Sequence, residues 1–156
     1  IYYPSNWLES LLKTHDKYPN AVCARRVHRV KKMGEGLASY NSWEDQCRSI
    51  SKLSFDLLAT GVGGVLYPPH CLDCRAFDEK AIKDLCYEAD DVWLKCMEVL
   101  NKTPVVWVKN WEVDLLAVEK VQKAALSNQN VDFCKNDLFL MNVMNHYSIP
   151  VDAFFD

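Results

Sequence analysis

Residues 61–74, GVGGVLYPPHCLDC, hold three of the five glycines and two of the six prolines of the chain. We interpret residues 62–69 as a short buried strand that is entered through glycines and ended by Pro68-Pro69, because proline cannot donate a hydrogen bond to a strand ladder. The glycines form a bulge or tight turn before the strand, or they let the backbone approach a ligand closely. They do not match a nucleotide-binding fingerprint, because position 66 is leucine and no Gly-Lys-Ser/Thr follows.

Helical and strand patterns alternate on both sides of this segment. Residues 21–32, AVCARRVHRVKK, are predicted as one strand with a basic edge, and residues 103–109, TPVVWVK, as another. Residues 37–56 are predicted as a long loop with short regular pieces, and residues 117–130 are ambiguous. We therefore predict one domain, residues 1–156, of mixed α/β class. Helices are predicted to start at Pro4-Ser5-Asn6, Asp78, Asp90-Asp91 and Asn136-Asp137.

The composition is that of a folded protein from a reducing compartment. A hydrophobic content of 49% in 156 residues is enough for a core, and a net charge of -3 gives no general attraction to nucleic acid or anionic membranes. The seven cysteines are an odd number, which favours free thiols and a cytoplasmic location over a disulfide framework. No apolar run approaches the roughly 18 residues that a membrane span needs.

The pair Cys71-x-x-Cys74 raises the possibility of a metal or redox protein. A structural zinc site needs four ligands, and the sequence has no second pair of this kind. A thioredoxin-like pair follows a strand and opens a helix, whereas Pro68-Pro69 precede this one. We predict two ordinary loop cysteines and no metal ligands, and keep a cysteine-based metal protein as an alternative that metal analysis can test.

Three acidic residues, Glu88, Asp90 and Asp91, lie within four positions at a predicted helix start. Two adjacent aspartates there can simply stabilise the helix, since negative charge is favoured at its N-terminus. However, three neighbouring carboxylates repel one another unless they serve a cation or a proton transfer. A carboxylate held rigidly at this place is also well suited to act as a general base.

A basic run and scattered aromatic residues suggest a binding surface. The basic residues could contact phosphates, and Tyr40 or Trp43 could stack on a sugar or a base. A solvated edge strand explains the charges equally well, and the overall charge does not support nucleic-acid binding. The run consists of Arg25, Arg26, His28, Arg29, Lys31 and Lys32.

Four segments together resemble the C-terminal half of bacterial glycosyltransferases of the GT-A type, family 2-like, found in capsule and lipopolysaccharide gene clusters. The resemblance covers nearly the whole chain and rests on the order and spacing of the segments. It implies a truncated GT-A sandwich, with a central mixed sheet flanked by helices. The segments are IYYPSNWLESLLKTH (1–15), GVGGVLYPP (61–69), EADDVWLKCM (88–97) and NDLFLMNVM (136–144).

The resemblance also implies what lies outside this chain. In such enzymes an Asp-x-Asp element binds the metal and is followed by an apolar-Tyr-Pro segment, and this sequence starts at that segment with Ile1-Tyr2-Tyr3-Pro4. We therefore expect the nucleotide-binding half and the main ligands of Mg²⁺ or Mn²⁺ to lie upstream, and the chain to be inactive alone. The missing strands would leave an exposed edge, so we also expect a homo-oligomer.

The resemblance assigns a role to each predicted site residue. Asp91 would be the base that deprotonates the acceptor hydroxyl in an inverting transfer from a nucleotide-sugar donor to a carbohydrate acceptor, and Asp90 would help to orient the substrate. Trp43 would contact the sugar, and Asp137 would cap its helix or reach the acceptor. The alternative is a non-catalytic glycan- or protein-binding module that uses Trp43, Trp107 and the basic strand. The glycines expected to line the sugar site are Gly61, Gly63 and Gly64.

Overall fold

The computed structural model describes residues 2–109 and 135–155. Within these ranges the chain combines helices with short strands in small sheets, so the predicted mixed α/β class is confirmed. The ambiguous residues 117–130 lie outside the described ranges. The helices are α1 (Trp7–Lys17), α2 (Glu79–Leu85), α3 (Asp90–Leu100) and α4 (Lys135–Tyr147). The strands are β1 (Val22–Ala24), β2 (Val27–Arg29), β3 (Lys32–Met33), β4 (Gly36–Leu37), β5 (Leu57–Ala59), β6 (Val65–Leu66) and β7 (Val105–Trp107).

A three-stranded mixed sheet lies at the centre, in the order β6-β1-β7. Strand β1 pairs antiparallel with β6 and parallel with β7, so that Cys23 is opposite both Leu66 and Val106. Helix α1 packs against β1 and β6, and its Leu11 is buried with Cys23 and Val106. The predicted first helix and the predicted strand at residues 103–109 are confirmed. The strand predicted at residues 62–69 is confirmed only in part, because β6 has two half-buried residues and Gly61–Gly63 form a 3₁₀ turn before it.

The predicted single strand at residues 21–32 is wrong, because the chain bends at Arg25-Arg26 and forms β1 and β2 in different sheets. The amide N–H of Arg25 donates to the carbonyl oxygen of Gly64 (3.1 Å), whereas the carbonyl oxygen of Arg26 accepts from the amide of Thr60 (3.0 Å). Strand β2 then pairs antiparallel with β5, which we did not predict. The bend therefore turns the basic run from the central sheet toward a second sheet.

Helices α2 and α3 begin where the sequence predicts. The carboxylate of Asp78 accepts hydrogen bonds from the amides of Lys80 (3.1 Å) and Ala81 (3.0 Å), which caps α2. Helix α3 begins at Asp90 and is buried along most of its length. It packs against β5 and α4, and Val92, Met97 and Val143 lie in their common core. The start of α3 is thus held between a sheet and a second helix.

The segment between β2 and β5 contains a short hairpin and a turn. Strands β3 and β4 pair around Gly34, whose φ is +60°. A 3₁₀ turn at Tyr40–Ser42 follows, and the indole Nε1 of Trp43 donates to the carbonyl oxygen of Ala38 (2.8 Å). This hydrogen bond closes residues 38–43 into a compact turn, which is defined here as the aromatic turn.

We expect Gly64→Ala to lower the free energy of unfolding by about 2–4 kcal/mol. Gly64 has φ +91°, and a Cβ built there would lie 2.4 Å from the indole ring of Trp7. The substitution therefore combines backbone strain with a collision against a large ring. Urea denaturation measures the change.

Gly61→Ala is the matched control, because a Cβ at this position lies 3.4 Å from its nearest neighbour, an ordinary van der Waals distance. We expect this variant to stay within about 1 kcal/mol of the wild type. Equal losses of stability in the two variants would show that the contact with Trp7 does not determine the need for glycine at position 64.

Candidate functional site

A cavity of about 450 Å³ opens beside the N-terminus of α3. Residues from β2, the aromatic turn, the end of β5, and the starts of α3 and α4 line it. The site residues Asp90, Asp91 and Trp43, predicted from the sequence, all contribute to its wall. Concave sites that combine aromatic faces with a few polar groups are the usual form of small-molecule sites.

Asp91 is the carboxylate most clearly held in place at this cavity. Its Oδ1 accepts a hydrogen bond from the amide N–H of Gly61 (2.9 Å), which begins the 3₁₀ turn at Gly61–Gly63. The pKa of Asp91 is raised to about 6, mainly by burial and also by the charge of Asp90, against the opposing effects of the Gly61 amide and Arg26. A carboxylate with this pKa is ionised at neutral pH and can accept a proton readily.

Asp90 is the first residue of α3 and lies at the exposed side of the cavity. It is placed beside Asp91 by the helix start, where negative charge is favoured by the helix dipole. Within residues 2–109 and 135–155 its carboxylate has no ion pair. Its predicted role in orienting a substrate stays a prediction.

Aromatic side chains line the same cavity as these carboxylates. The rings of Tyr40 and Trp43 have centroids 4.9 Å apart, and the ring of His28 meets Tyr40 edge-on at 5.9 Å. Because the indole N–H of Trp43 already donates to Ala38, its contribution to the cavity is an apolar surface. Burial, with a smaller effect of Asp91, raises the pKa of Tyr40 to about 12. The Tyr40 hydroxyl is therefore neutral and can donate a hydrogen bond at physiological pH.

Arg26, which directly precedes β2, and His28 within β2 both line the cavity, as expected for extended residues two positions apart. His28 Nδ1 lies 2.8 Å from a carboxylate oxygen of Asp45. This contact is not an ion pair at neutral pH, because burial and Arg26 lower the pKa of His28 to about 4. Period-two alternation along residues 26–28 was the sequence signal that could have assigned these two residues to one site.

Three further residues of the predicted basic run are paired within the chain. Arg25 is buried and donates to Ser10 Oγ (2.6 Å), Arg29 Nε donates to Asp56 (2.8 Å), and Lys32 lies 2.6 Å from Asp152. These cations point to different acidic or polar partners and do not share one face. The basic residues of this run are therefore poorly arranged to bind a phosphate backbone together.

The three glycines have different neighbours. Gly61 positions Asp91 through its amide, as described above. A Cβ at Gly63 would lie 2.6 Å from Arg26 Cβ and 2.9 Å from its backbone nitrogen, and Gly64 is covered by Trp7. The chain's own packing therefore requires glycine at positions 63 and 64. The prediction that these glycines line a sugar site stays a prediction.

The two cysteines of the Cys-x-x-Cys pair lie outside this cavity, beside a second cleft of about 680 Å³ lined also by Tyr67 and Phe77. Cys71 is buried, which raises the pKa of its thiol to about 11, and Cys74 is exposed. In the described part of the chain, no three His, Cys, Asp or Glu side chains are grouped so that they could hold a metal ion. The prediction that these two cysteines bind no metal stays a prediction.

The start of α4 contributes Asn136 to the cavity and Asp137 to the aromatic turn. Asn136 is 7% exposed and lies in the cavity wall. The carboxylate of Asp137 accepts hydrogen bonds from Ser39 Oγ and from the amide of Tyr40, each at 2.7 Å. We had expected both residues mainly to cap α4, but the Asp137 carboxylate bonds to residues 97 and 98 positions away instead.

Comparisons with protein-family models, with curated proteins and with solved structures found no match to this chain. Among the residues described, no helix has both the length and the apolar character needed to cross a membrane. The chemistry of the cavity is therefore the basis for the functional proposal.

Proposed function

We propose that this chain forms the acceptor-side half of a GT-A glycosyltransferase that moves a sugar from a nucleotide-sugar donor to a carbohydrate acceptor with inversion. The observation that carries the proposal is the geometry of Asp91. This carboxylate is anchored by the Gly61 amide, is ionised near neutral pH, and lies at a cavity with an aromatic wall. The resemblance to bacterial capsule and lipopolysaccharide enzymes supports the same assignment.

The proposed reaction is a single displacement at the anomeric carbon. Asp91 takes the proton of an acceptor hydroxyl while the hydroxyl oxygen forms a bond to that carbon. The bond from the same carbon to the diphosphate breaks at the same time, and the nucleoside diphosphate leaves with the electron pair. Mg²⁺ or Mn²⁺ would neutralise the leaving group in the enzymes that this sequence resembles. We place its protein ligands upstream of this chain, where a nucleotide-binding half is expected.

The cavity also favours an uncharged acceptor. Asp45, Asp90 and Asp91 line it with negative charge, whereas Arg26, just before β2, lies 3.4 Å from Asp45. An acidic sugar would add like charge next to Asp91, which costs free energy in a partly buried site. The flat faces of Tyr40 and Trp43 suit the apolar face of a neutral sugar ring.

A non-catalytic glycan-binding module is the second candidate. It would use the same aromatic wall but would need no base. Of the residues first considered for such a module, Trp43 lines the cavity, whereas Trp107 is 3% exposed and its indole Nε1 donates to the carbonyl oxygen of Arg25 (3.2 Å). A module of this kind would therefore depend on the same cavity as the enzyme.

The test measures sugar transfer by this chain and by the same sequence extended upstream as its gene encodes it, with UDP- and GDP-sugars, neutral saccharide acceptors and Mn²⁺. We expect the extended protein to release nucleoside diphosphate in the presence of an acceptor, and the present chain to release none. If the extended protein neither binds nor turns over a nucleotide sugar while this chain binds saccharides, the binding module is the better account. The expected homo-oligomer stays a prediction that light scattering of the same samples can test.

A further inference from the structure

Asn136 is a largely buried residue in the wall of the cavity. It is 7% exposed, and among the residues described its side chain makes no hydrogen bond. Its amide atoms are not among the polar atoms that are fully buried without a partner, so they are open to the cavity. A group that enters the cavity can therefore form hydrogen bonds with this amide.

The chemistry of an amide limits what that group can be. The side chain of Asn136 offers one acceptor oxygen and two N–H donors and carries no charge. A sugar hydroxyl both donates and accepts, so it matches this set, whereas a carboxylate or an ammonium ion uses only one half of it. The aromatic faces of Tyr40 and Trp43 lie in the same cavity and suit the ring that would carry the hydroxyl.

Asp137, the next residue along α4, has its carboxylate occupied elsewhere. It accepts from Ser39 Oγ and from the Tyr40 amide, and so connects α4 to the aromatic turn. Helix α4 packs on α3, the helix that carries Asp91. Asp137 therefore fixes the aromatic turn to the same body that holds Asp91, and this sets where the Tyr40 ring lies relative to that carboxylate.

We propose that Asn136 hydrogen-bonds a hydroxyl of a neutral acceptor sugar, and that Asp137 is a positioning residue that holds Tyr40 against the same sugar. The proposal rests on the proposed function, in which this cavity receives the acceptor. In this arrangement Asn136 contacts the sugar directly, whereas Asp137 acts on it indirectly through Tyr40.

The test compares Asn136→Ala, Asp137→Ala, Tyr40→Ala and the double variant Asp137→Ala/Tyr40→Ala, with Asp84→Ala on the exposed surface of α2 as the matched control. Hydrogen exchange of the amides in residues 38–43 reports whether the aromatic turn is held. Nuclear magnetic resonance titrations with methyl β-glucopyranoside and methyl β-galactopyranoside give the dissociation constants.

We expect Asp137→Ala to accelerate exchange of the Tyr40 amide at least about tenfold, since it removes a hydrogen bond to a charged group, and Asn136→Ala to leave it unchanged. Asn136→Ala should weaken saccharide binding about tenfold through the lost direct contact. Asp137→Ala should also weaken it, but the double variant should bind no more weakly than Tyr40→Ala, because Asp137 acts through Tyr40. Asp84→Ala should match the wild type in both measurements.

Unchanged exchange of the Tyr40 amide in Asp137→Ala would overturn the role of Asp137. Wild-type affinity in Asn136→Ala, or no binding of either glycoside by the wild type, would overturn the role of Asn136. The hydrogen-exchange and saccharide-binding measurements do not require sugar transfer. If they come out as expected and the extended protein transfers no sugar, the proposed function fails and the two residues belong to a saccharide-binding site.

Discussion

Asp91→Asn should reduce sugar transfer by about 10²- to 10⁴-fold in the protein extended upstream, which is the range that removal of a general base produces. Asparagine has nearly the same shape and its oxygen can still accept from the Gly61 amide, so the cavity should keep its form. The amide cannot take the proton of the acceptor hydroxyl, however. Initial rates with saturating donor and acceptor measure the loss, and donor affinity should be unchanged.

Asp84→Asn on α2 is the matched control, because it makes the same chemical change at an exposed position away from the cavity. It should transfer sugar at the wild-type rate. Equal transfer by Asp91→Asn and the wild type would show that Asp91 is not the base. If both variants bind saccharides normally and no form transfers sugar, the cavity is a binding site.

Asp91→Asn should lower sugar transfer but increase the stability of the fold at neutral and higher pH. The pKa of Asp91 is about 6 in the folded protein and 3.8 in the reference state, so the folded state binds more protons between these values. The free energy of unfolding therefore falls as the pH rises from about 4 to about 6, and the loss stays in full above pH 6. Asparagine does not ionise, so Asp91→Asn should be more stable than the wild type at pH 8, by up to about 3 kcal/mol.

Urea denaturation of the wild type and Asp91→Asn from pH 4 to pH 8 tests the direction of this pH dependence. We expect their difference in stability to be smallest near pH 4 and to grow until about pH 6. Transfer by the wild type should rise over the upper part of this interval, because Asp91 must lose its proton before it can act as a base. A difference in stability that does not change with pH would mean that the Asp91 pKa is not raised by folding.

Removing one partner of the buried ion pair in α3 should be the most destabilising change outside the cavity. Lys95 Nζ lies 3.2 Å from Glu98 Oε2, and both side chains are 1% exposed. Glu98→Leu leaves the lysine charge buried without its carboxylate, which should lower the free energy of unfolding by about 3–5 kcal/mol. Urea denaturation at pH 7 measures the effect.

The double variant Lys95→Met/Glu98→Leu should recover most of this loss, because two apolar side chains of similar volume need no charge partner. Glu9→Ala is the surface control: Glu9 pairs with Lys13 at 2.6 Å on the exposed face of α1, and we expect no measurable change in stability. A double variant as unstable as Glu98→Leu alone would indicate that the shape of these side chains, and not their charges, stabilises the core.

The local signals in the sequence predicted helices well and the path of the strands less well. Asp78 caps α2 and Asp90 begins α3 as predicted, because capping depends on backbone groups within a few residues. By contrast, β5 has three residues, which is too short for an alternating pattern to show. The bend at Arg25-Arg26 was also missed, since it depends on the close approach of Gly63 from a distant segment.

The candidate site was predicted only in part, because local signals identify some of its residues whereas contacts between distant segments determine the others. Asp90 and Asp91 could be selected because acids cluster at a helix start, and Trp43 because large aromatic residues are conspicuous. The roles of Asn136 and Asp137 could not be separated, because the partners of Asp137 are Ser39 and Tyr40. The burial of Lys95 and Glu98 was not anticipated either, since charged residues on a helix usually face solvent.

The sequence by itself determined the mixed α/β class, the starts of α2 and α3, and the acidic pair at the cavity. These features arise from hydrophobic periodicity and capping, which act over a few neighbouring residues. Only the tertiary structure decided that Gly61 anchors Asp91, that Trp7 covers Gly64, and that Asp137 holds the aromatic turn. Each of these contacts joins residues at least 30 positions apart, so it exists only after packing has brought distant surfaces together.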